Sequence, residues 1–287
     1  MQDFVIFTDS GCDIAPETLA QWGVPYVSMT FLFDGEEKEY TSSEMGTEPF
    51  YQRMREGGHA KTAAVNTDTF MGAFEPLLQQ GKDVLYVAFS SGLSTTVQSA
   101  KMAIEQLAEQ YPQNRVVMVD TLAASAGEGL MVYMAVQKKA QGATLDETAA
   151  YLKALEDKHC IWFTVDDLTY LKRGGRVSPT VAFVGGLLGI KPVLKMDEPG
   201  HLVKHSTVRG RTKAIEALAD KYGELADNDG SPIFISHAQC LDEAQKLADL
   251  IKTRYGGEVT LITEIGPIIG AHAGPGTIAL FFIGAHR

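Results

Sequence analysis

The sequence predicts an α/β protein. A parallel sheet flanked by helices comes first, and an α+β unit with a mixed or antiparallel sheet follows. Three observations carry this expectation. Short apolar runs and amphipathic stretches alternate through the first half, the rhythm of βαβ units. Two of those runs, VLYVAF and RVVMVD, are rich in valine, as strands covered on both faces are. The second half drops the alternation and opens with two strand-like runs around Glu198-Pro199-Gly200, the pattern of an antiparallel hairpin.

Taken in order, FVIFTD reads as a buried strand, and Asp13 is placed to cap a helix with Pro16 in its first turn. VPYVSMTFLF reads as one second strand, with a turn at DGEE. Helices are expected over 47–55 and 68–79, with Thr47 and Thr67 as caps. VLYVAF and RVVMVD are each followed by an amphipathic helix, over 95–110 and 125–141. A helix over 146–157 leads to a boundary near residue 158, giving units 1–158 and 159–287. Beyond the hairpin KPVLKMDEPGHLVKHSTV come a helix over 211–222, strand PIFISH and a helix over 242–255. Strand EVTLITEI, a glycine-rich loop GPIIGAHAGPG and strand TIALFFIG complete the second unit.

Composition narrows the function. Hydrophobic residues make up 45% and charged residues 21%, so a sizeable core is within reach. The formal charge of −11, from 36 acidic and 25 basic residues, leaves no broad basic field for nucleic acid. Cys12, Cys160 and Cys240 are far apart and form no C-x-x-C pair, so neither a disulfide framework nor a zinc site is indicated. The start MQDFVIFTDS lacks the features of a signal peptide, and no apolar run reaches the ~18 residues of a membrane span. The expectation is a soluble, cytoplasmic protein without stable membrane insertion.

Familiar catalytic signatures are absent: no G-x-S-x-G elbow, no phosphate loop and no H-E-x-x-H helix occurs. GPGTIA runs into a strand rather than a helix and is not a dinucleotide fingerprint. The seven histidines show no ligand spacing. Three stretches hold chemical interest. FSSGLSTTVQSA places six hydroxyls where a strand hands over to a helix, the end of a parallel strand at which ligands bind. Some of these cap or fill a turn, but six exceed that need. KRGGRVS sets a double glycine between basic residues, either a helix stop with solvated charge or a concavity for an anion. His272 stands in IIGAHAGPG, where flanking glycines allow another group to approach.

These stretches, taken with TDSGCDI, the Lys61-Thr62 pair, DTLAASAGEG, LTYLKRGGRVS, VRGRTKAI and ISHA in that order, resemble the DegV family of bacterial fatty-acid-binding proteins. The resemblance runs over 4–284. It implies a two-domain fold that buries one long-chain fatty acid between its domains, with 1–158 expected to contribute the carboxylate-binding loops and 159–287 the acyl-chain pocket, and no other cofactor. It also implies a role as the acyl-carrying subunit of a two-part fatty acid kinase, not itself the catalyst. The partner phosphorylates the bound carboxylate with ATP, and the acyl phosphate feeds phospholipid synthesis.

Carried over by motif, the carboxylate ligands correspond to Thr62, Ser94 and His272. Ser91, Gly92, Thr95, Gly270 and Gly274 are further candidates for the ligand site, and Arg173, Arg176 and Arg209 for partner docking. Two places depart from the family pattern: AAVN follows Thr62, and Thr95 stands where glycine is usual. The apolar runs VAFVGGLLGI and TIALFFIG offer Phe183, Leu187, Ile190 and Leu280 as acyl-pocket candidates. An alternative is a serine-dependent acyl hydrolase or transferase with Ser94 as nucleophile and His272 as base, though no orienting acid is visible near the histidine. A third is a sensor that only binds. Energetically the tail dominates: ~0.8 kcal/mol per methylene over about 15 methylenes is roughly 12 kcal/mol before ordering costs. A charge-assisted hydrogen bond adds about 1.5–3 kcal/mol, so the polar groups set position more than affinity.

Overall fold

A computed structural model describes residues 3–177, 189–227 and 230–287. The expected fold class is observed. Strands β1 (Phe4–Asp9), β2 (Tyr26–Val27), β3 (Thr30–Phe33), β4 (Ala60–Ala63), β5 (Asp83–Ala88) and β6 (Val116–Asp120) fill the first part. Between and after them lie helices α1 (Pro16–Gln21), α2 (Thr47–Arg55), α3 (Thr67–Gln79), α4 (Thr96–Gln110), α5 (Ala126–Ala140) and α6 (Leu145–Leu155). The later part holds β7 (His159–Thr164), α7 (Leu168–Gly174), β8 (Ile190–Met196), β9 (Leu202–Arg209), α8 (Arg211–Leu225) and β10 (Ile233–His237). It continues with α9 (Leu241–Tyr255), β11 (Val259–Glu264), α10 (Pro267–Ala273) and β12 (Ile278–Ile283).

A parallel sheet runs β2-β1-β5-β6, and β3 pairs antiparallel with β4 beside it. A six-stranded mixed sheet runs β11-β10-β12-β7-β8-β9, antiparallel throughout except for β10 with β11. Strand alternation divides the core. On β5, Val84, Tyr86 and Ala88 pack with Phe70 and Phe74 of α3 and with Val97 and Ala103 of α4. Leu85 and Val87 face the other way, toward α5 and α6. On β12, Leu280 and Phe282 pack against α8 and α9, whereas Ala279 and Phe281 face α5. Helix α5 therefore lies between the two sheets, and Ala126, Leu130, Met131, Val132 and Ala135 on it are buried. A helix apolar on nearly every side belongs in such a place.

Several local expectations are corrected. VPYVSMTFLF is two strands, because the chain leaves the parallel sheet at Ser28 and the Met29 N–H turns to the Ser10 hydroxyl (2.9 Å). Asp13 does not cap α1, whose cap is Ala15. It sits buried in the left-handed region (φ 50°), its carboxyl turned inward, while Pro16 does open the helix. Gly46 and Asn66 precede α2 and α3 in place of Thr47 and Thr67, and the Asn66 side chain accepts from the Thr69 N–H. The glycine-rich loop contains α10, seven residues long, started by Pro267 and stopped at Gly274 (φ 80°). Strands β4 and β7 and helix α7 were not foreseen. Among the described residues no helix is long and apolar enough to cross a membrane, and no group of His, Cys, Asp and Glu is arranged to hold a metal. All three cysteines are free.

The lead-in to α10 is anchored by Tyr51 of α2, whose buried hydroxyl donates to the Ile265 carbonyl (2.9 Å). Tyr51→Phe leaves that carbonyl unsatisfied and is expected to lower the unfolding free energy by about 1–2 kcal/mol. Urea unfolding measures this, and an unchanged midpoint and slope would show that the bond contributes nothing.

Candidate ligand site

The hydroxyl-rich turn lies at the carboxyl end of β5; Ser99 falls within α4, and the other five hydroxyls divide into scaffold and lining. Ser90 is fully buried and donates to the Gly200 carbonyl (3.0 Å), so the turn is held against the β8–β9 hairpin. Thr96 is also buried. Its Oγ lies 2.9 Å from the Ser94 hydroxyl and accepts from the Val65 N–H. Ser91, Ser94 and Thr95 line a cavity of about 430 Å³ together with Gly92. Ser91 also donates its backbone N–H to Asp120 at the end of β6.

The cavity runs between the two sheets. Ile161 and Phe163 of β7 and Ala279 and Phe281 of β12 form one apolar wall. Met29, Phe89, Met196, Leu202 and Ile268 close it from other sides. Its polar lining is Thr62, the turn hydroxyls, His272 and Arg176, with Ser125 and Thr277. The last two are already engaged. Ser125 donates to Asp13 (2.6 Å) and lies 2.9 Å from the Ser236 hydroxyl, while Thr277 donates to the carbonyls of Ala273 and Gly274.

Strand β4 and helix α10 bring the key pair together: the Thr62 hydroxyl lies 2.8 Å from Nε2 of His272. Nδ1 of His272 is buried and has no partner among the described residues. The ring occupies the space where a side chain on Gly174 would begin, so only glycine fits there at the end of α7. Burial, then the charge of Arg176, lowers the His272 pKa from 6.5 to about 4. The imidazole is therefore neutral at physiological pH. Arg176 donates to the Leu93 carbonyl (Nε, 3.3 Å) and to that of Gly174, spanning from the second part of the chain to the first.

A second chamber of about 590 Å³ lies across the same wall, sharing Thr62, Arg176 and His272. Its other lining includes His59, Lys61, Tyr170 and Arg173. Lys61 pairs with Asp34 (2.6 Å), and Arg173 reaches Nδ1 of His59 (3.0 Å).

Of the residues singled out in the sequence, Thr62, Ser91, Gly92, Ser94, Thr95, His272 and Arg176 meet at one cavity. Gly270 and Gly274 line neither chamber. They admit the Tyr51 hydroxyl and the Tyr170 ring against α10. Leu280 points away from the cavity into the α8–α9 core, since alternate residues of a strand take opposite faces. Ile190 opens β8 half-buried and outside the lining. Phe183 and Leu187 lie outside the described residues. Arg173 lines the second chamber only, and Arg209 is exposed at the end of β9 and lines neither. Sequence reasoning missed Ile161, Phe163, Met196 and Leu202. HCIWFT is buried on both faces, so its phase gave no signal for the first two. Arg176, offered for partner docking and in the anion-concavity reading of KRGGRVS, lines the cavity.

The class is thus an α/β fold of two sheets enclosing a largely apolar cavity whose polar end gathers hydroxyls, a neutral imidazole and Arg176. A family model described as an uncharacterised protein of the DegV family matches residues 3–285, and the chain belongs to the DegV family. A DegV domain-containing protein of Clostridium perfringens strain 13 is 40% identical over 286 residues, covering 99% of this chain and 98% of that protein. A solved structure described as fatty acid binding of a DegV family protein, from Thermus thermophilus, superposes with a TM-score of 0.89 at 30% identity, covering 99% of this chain and 100% of that one. A DegV lipid binding protein from Thermotoga maritima gives 0.86 at 28% identity, with both chains fully covered.

The state of His272 has a consequence for stability. The unfolded histidine takes up a proton near 6.5, whereas the folded one does so only near 4. Stability is therefore lost as pH falls from 6.5 toward 4, at up to ~1.4 kcal/mol per pH unit from this group. Between pH 6.5 and 4.5 the His272→Gln variant is expected to lose less stability than the wild type, by about 2 kcal/mol. Urea titrations of both proteins at the two pH values measure this, and equal losses would contradict a neutral buried imidazole.

Proposed function

We propose that the chain binds one long-chain fatty acid in the cavity between its sheets and presents the carboxylate to a partner kinase. The kinase phosphorylates it, and the acyl phosphate feeds phospholipid synthesis. The observation that carries the reading is the cavity itself: its walls are apolar, and its polar end gathers Thr62, Ser94, Thr95 and neutral His272. The Thermus and Thermotoga relatives, described as binding fatty acid and lipid, support it. Its size falls within the ~300–1,000 Å³ of ordinary ligand pockets.

The polar end suits a carboxylate that must later react. A buried carboxylate needs hydrogen bonds to offset its desolvation. Hydroxyls and a neutral imidazole N–H supply them without a tight ion pair, while Arg176 adds positive charge at the rim. We place the boundary between units at residue 158, with both contributing to the headgroup end: Thr62 and Ser94 from 1–158, His272 from 159–287. Presentation to a kinase is supported by the second chamber, which reaches the same Thr62–His272 wall and carries Lys61, His59 and Arg173. The proposal is for a cytoplasmic carrier that is not itself the catalyst. In the hydrolase alternative, Ser94 needs His272 as its base. Instead Ser94 bonds Thr96, and among the described residues His272 Nδ1 has no acid to orient it.

Native mass spectrometry of the purified protein tests the ligand. The expected result is a non-covalent adduct that releases a fatty acid on denaturation, whereas a covalent acyl group on Ser94 would favour the hydrolase. Thr62→Ala and Ser94→Ala are expected to weaken fatty acid binding by less than about tenfold, since the tail supplies most of the affinity. Kinase-coupled turnover should fall further. Arg173→Ala and Arg209→Ala are expected to keep fatty acid affinity yet reduce that turnover and its salt dependence. Wild-type turnover at every ionic strength would remove these arginines from the docking surface.

A further inference from the structure

Gly127 is the second residue of α5 and faces the mixed sheet. A Cβ placed on it would come within 2.7 Å of Cδ1 and 3.0 Å of Cε1 of Phe281, and 3.4 Å from Cδ1 of Ile161. Both of those side chains line the ligand cavity. The missing methyl is therefore what lets the Phe281 ring lie back against α5 instead of standing in the cavity.

The helix has no slack with which to retreat. Two residues on, and on the far side of α5, Gly129 packs so closely on Ile14 that a Cβ there would lie 2.5 Å from its Cδ1. Strand β12 cannot yield either, because it lies in the interior of the sheet, with Phe281 in register between Phe234 of β10 and Ile161 of β7. Close-packed interiors transmit such a displacement to the nearest free volume. For the Phe281 ring, that volume is the cavity.

We infer that Gly127 and Phe281 together determine the length of acyl chain the cavity accepts, with the glycine setting how far the ring is withdrawn. This rests on the fatty-acid reading of the cavity and goes beyond it by assigning chain-length selectivity to a contact between α5 and β12. Each methylene denied burial reduces affinity by about fourfold. Gly127→Ala is thus expected to move the preferred chain shorter by one or two methylenes. Phe281→Leu, which removes ring volume, is expected to move it longer. The double variant should return toward the wild-type profile.

The test is a binding profile of saturated fatty acids of increasing length on the wild type and the three variants, with far-UV circular dichroism to confirm folding. Opposite shifts in the two single variants and recovery in the double variant support the inference. An unchanged profile in folded Phe281→Leu overturns it, even if Gly127→Ala fails to fold. A wild type that binds no fatty acid of any length would instead overturn the ligand reading itself.

Discussion

One buried carboxyl ties the site to the scaffold. Asp13 accepts the Ser125 hydroxyl at 2.6 Å and the Gly266 N–H at 2.9 Å, and its carbonyl accepts from Thr263 at 2.8 Å. Ser125 precedes α5, the helix between the sheets, and Gly266 precedes α10, the helix that carries His272. Two segments distant in sequence, at Ser125 and at 263–266, thus converge on Asp13. Burial pushes its pKa up to about 7, opposed by the bonds from Ser125 and Gly266. The group is retained for its geometry: without it, α10 loses the contact that fixes its starting point against the first half of the chain.

The chemistry at the cavity depends on a similar restraint. The polar end is built from hydroxyls and a histidine kept neutral, with its one nearby full charge, Arg176, engaged by the Leu93 and Gly174 carbonyls. In the proposed complex, a carboxylate at this end would be hydrogen-bonded but not neutralised by a tight ion pair, so its oxygens would keep their nucleophilic character. The same wall separates a largely apolar chamber from a polar one whose lining includes His59, Arg173 and the Lys61–Asp34 pair. In the proposed function that division gives tail and headgroup different roles.

Much of this was legible in the sequence because the signals are local. Valine-rich runs identified β5 and β6, and the Pro199-Gly200 turn identified the hairpin. The ordered motifs carried Thr62, Ser94 and His272 to one cavity. What failed was either short or tertiary. The seven residues of α10 carry three kinds of loop-like signal, and its helical state comes from packing on α7 and Tyr51. Asp13 looked like a cap because its burial depends on residues more than 100 positions away. Leu280 was chosen over Ala279 and Phe281 because the run TIALFFIG is apolar on both faces, which hides its phase.

The position of β12 bears on how the molecule is made. This late strand lies in the interior of its sheet, between β10 and β7, and brings Ala279 and Phe281 to the cavity wall. As the polypeptide leaves the ribosome, the parallel sheet has all its strands by residue 120, and β7 soon gains β8 on one edge, but β12, its partner on the other edge, follows more than a hundred residues later. Throughout that interval Ile161 and Phe163 are exposed apolar surface with an open strand edge. The nascent chain thus carries an open strand edge over the same residues that later line the cavity, and that wall is complete only when 278–283 insert.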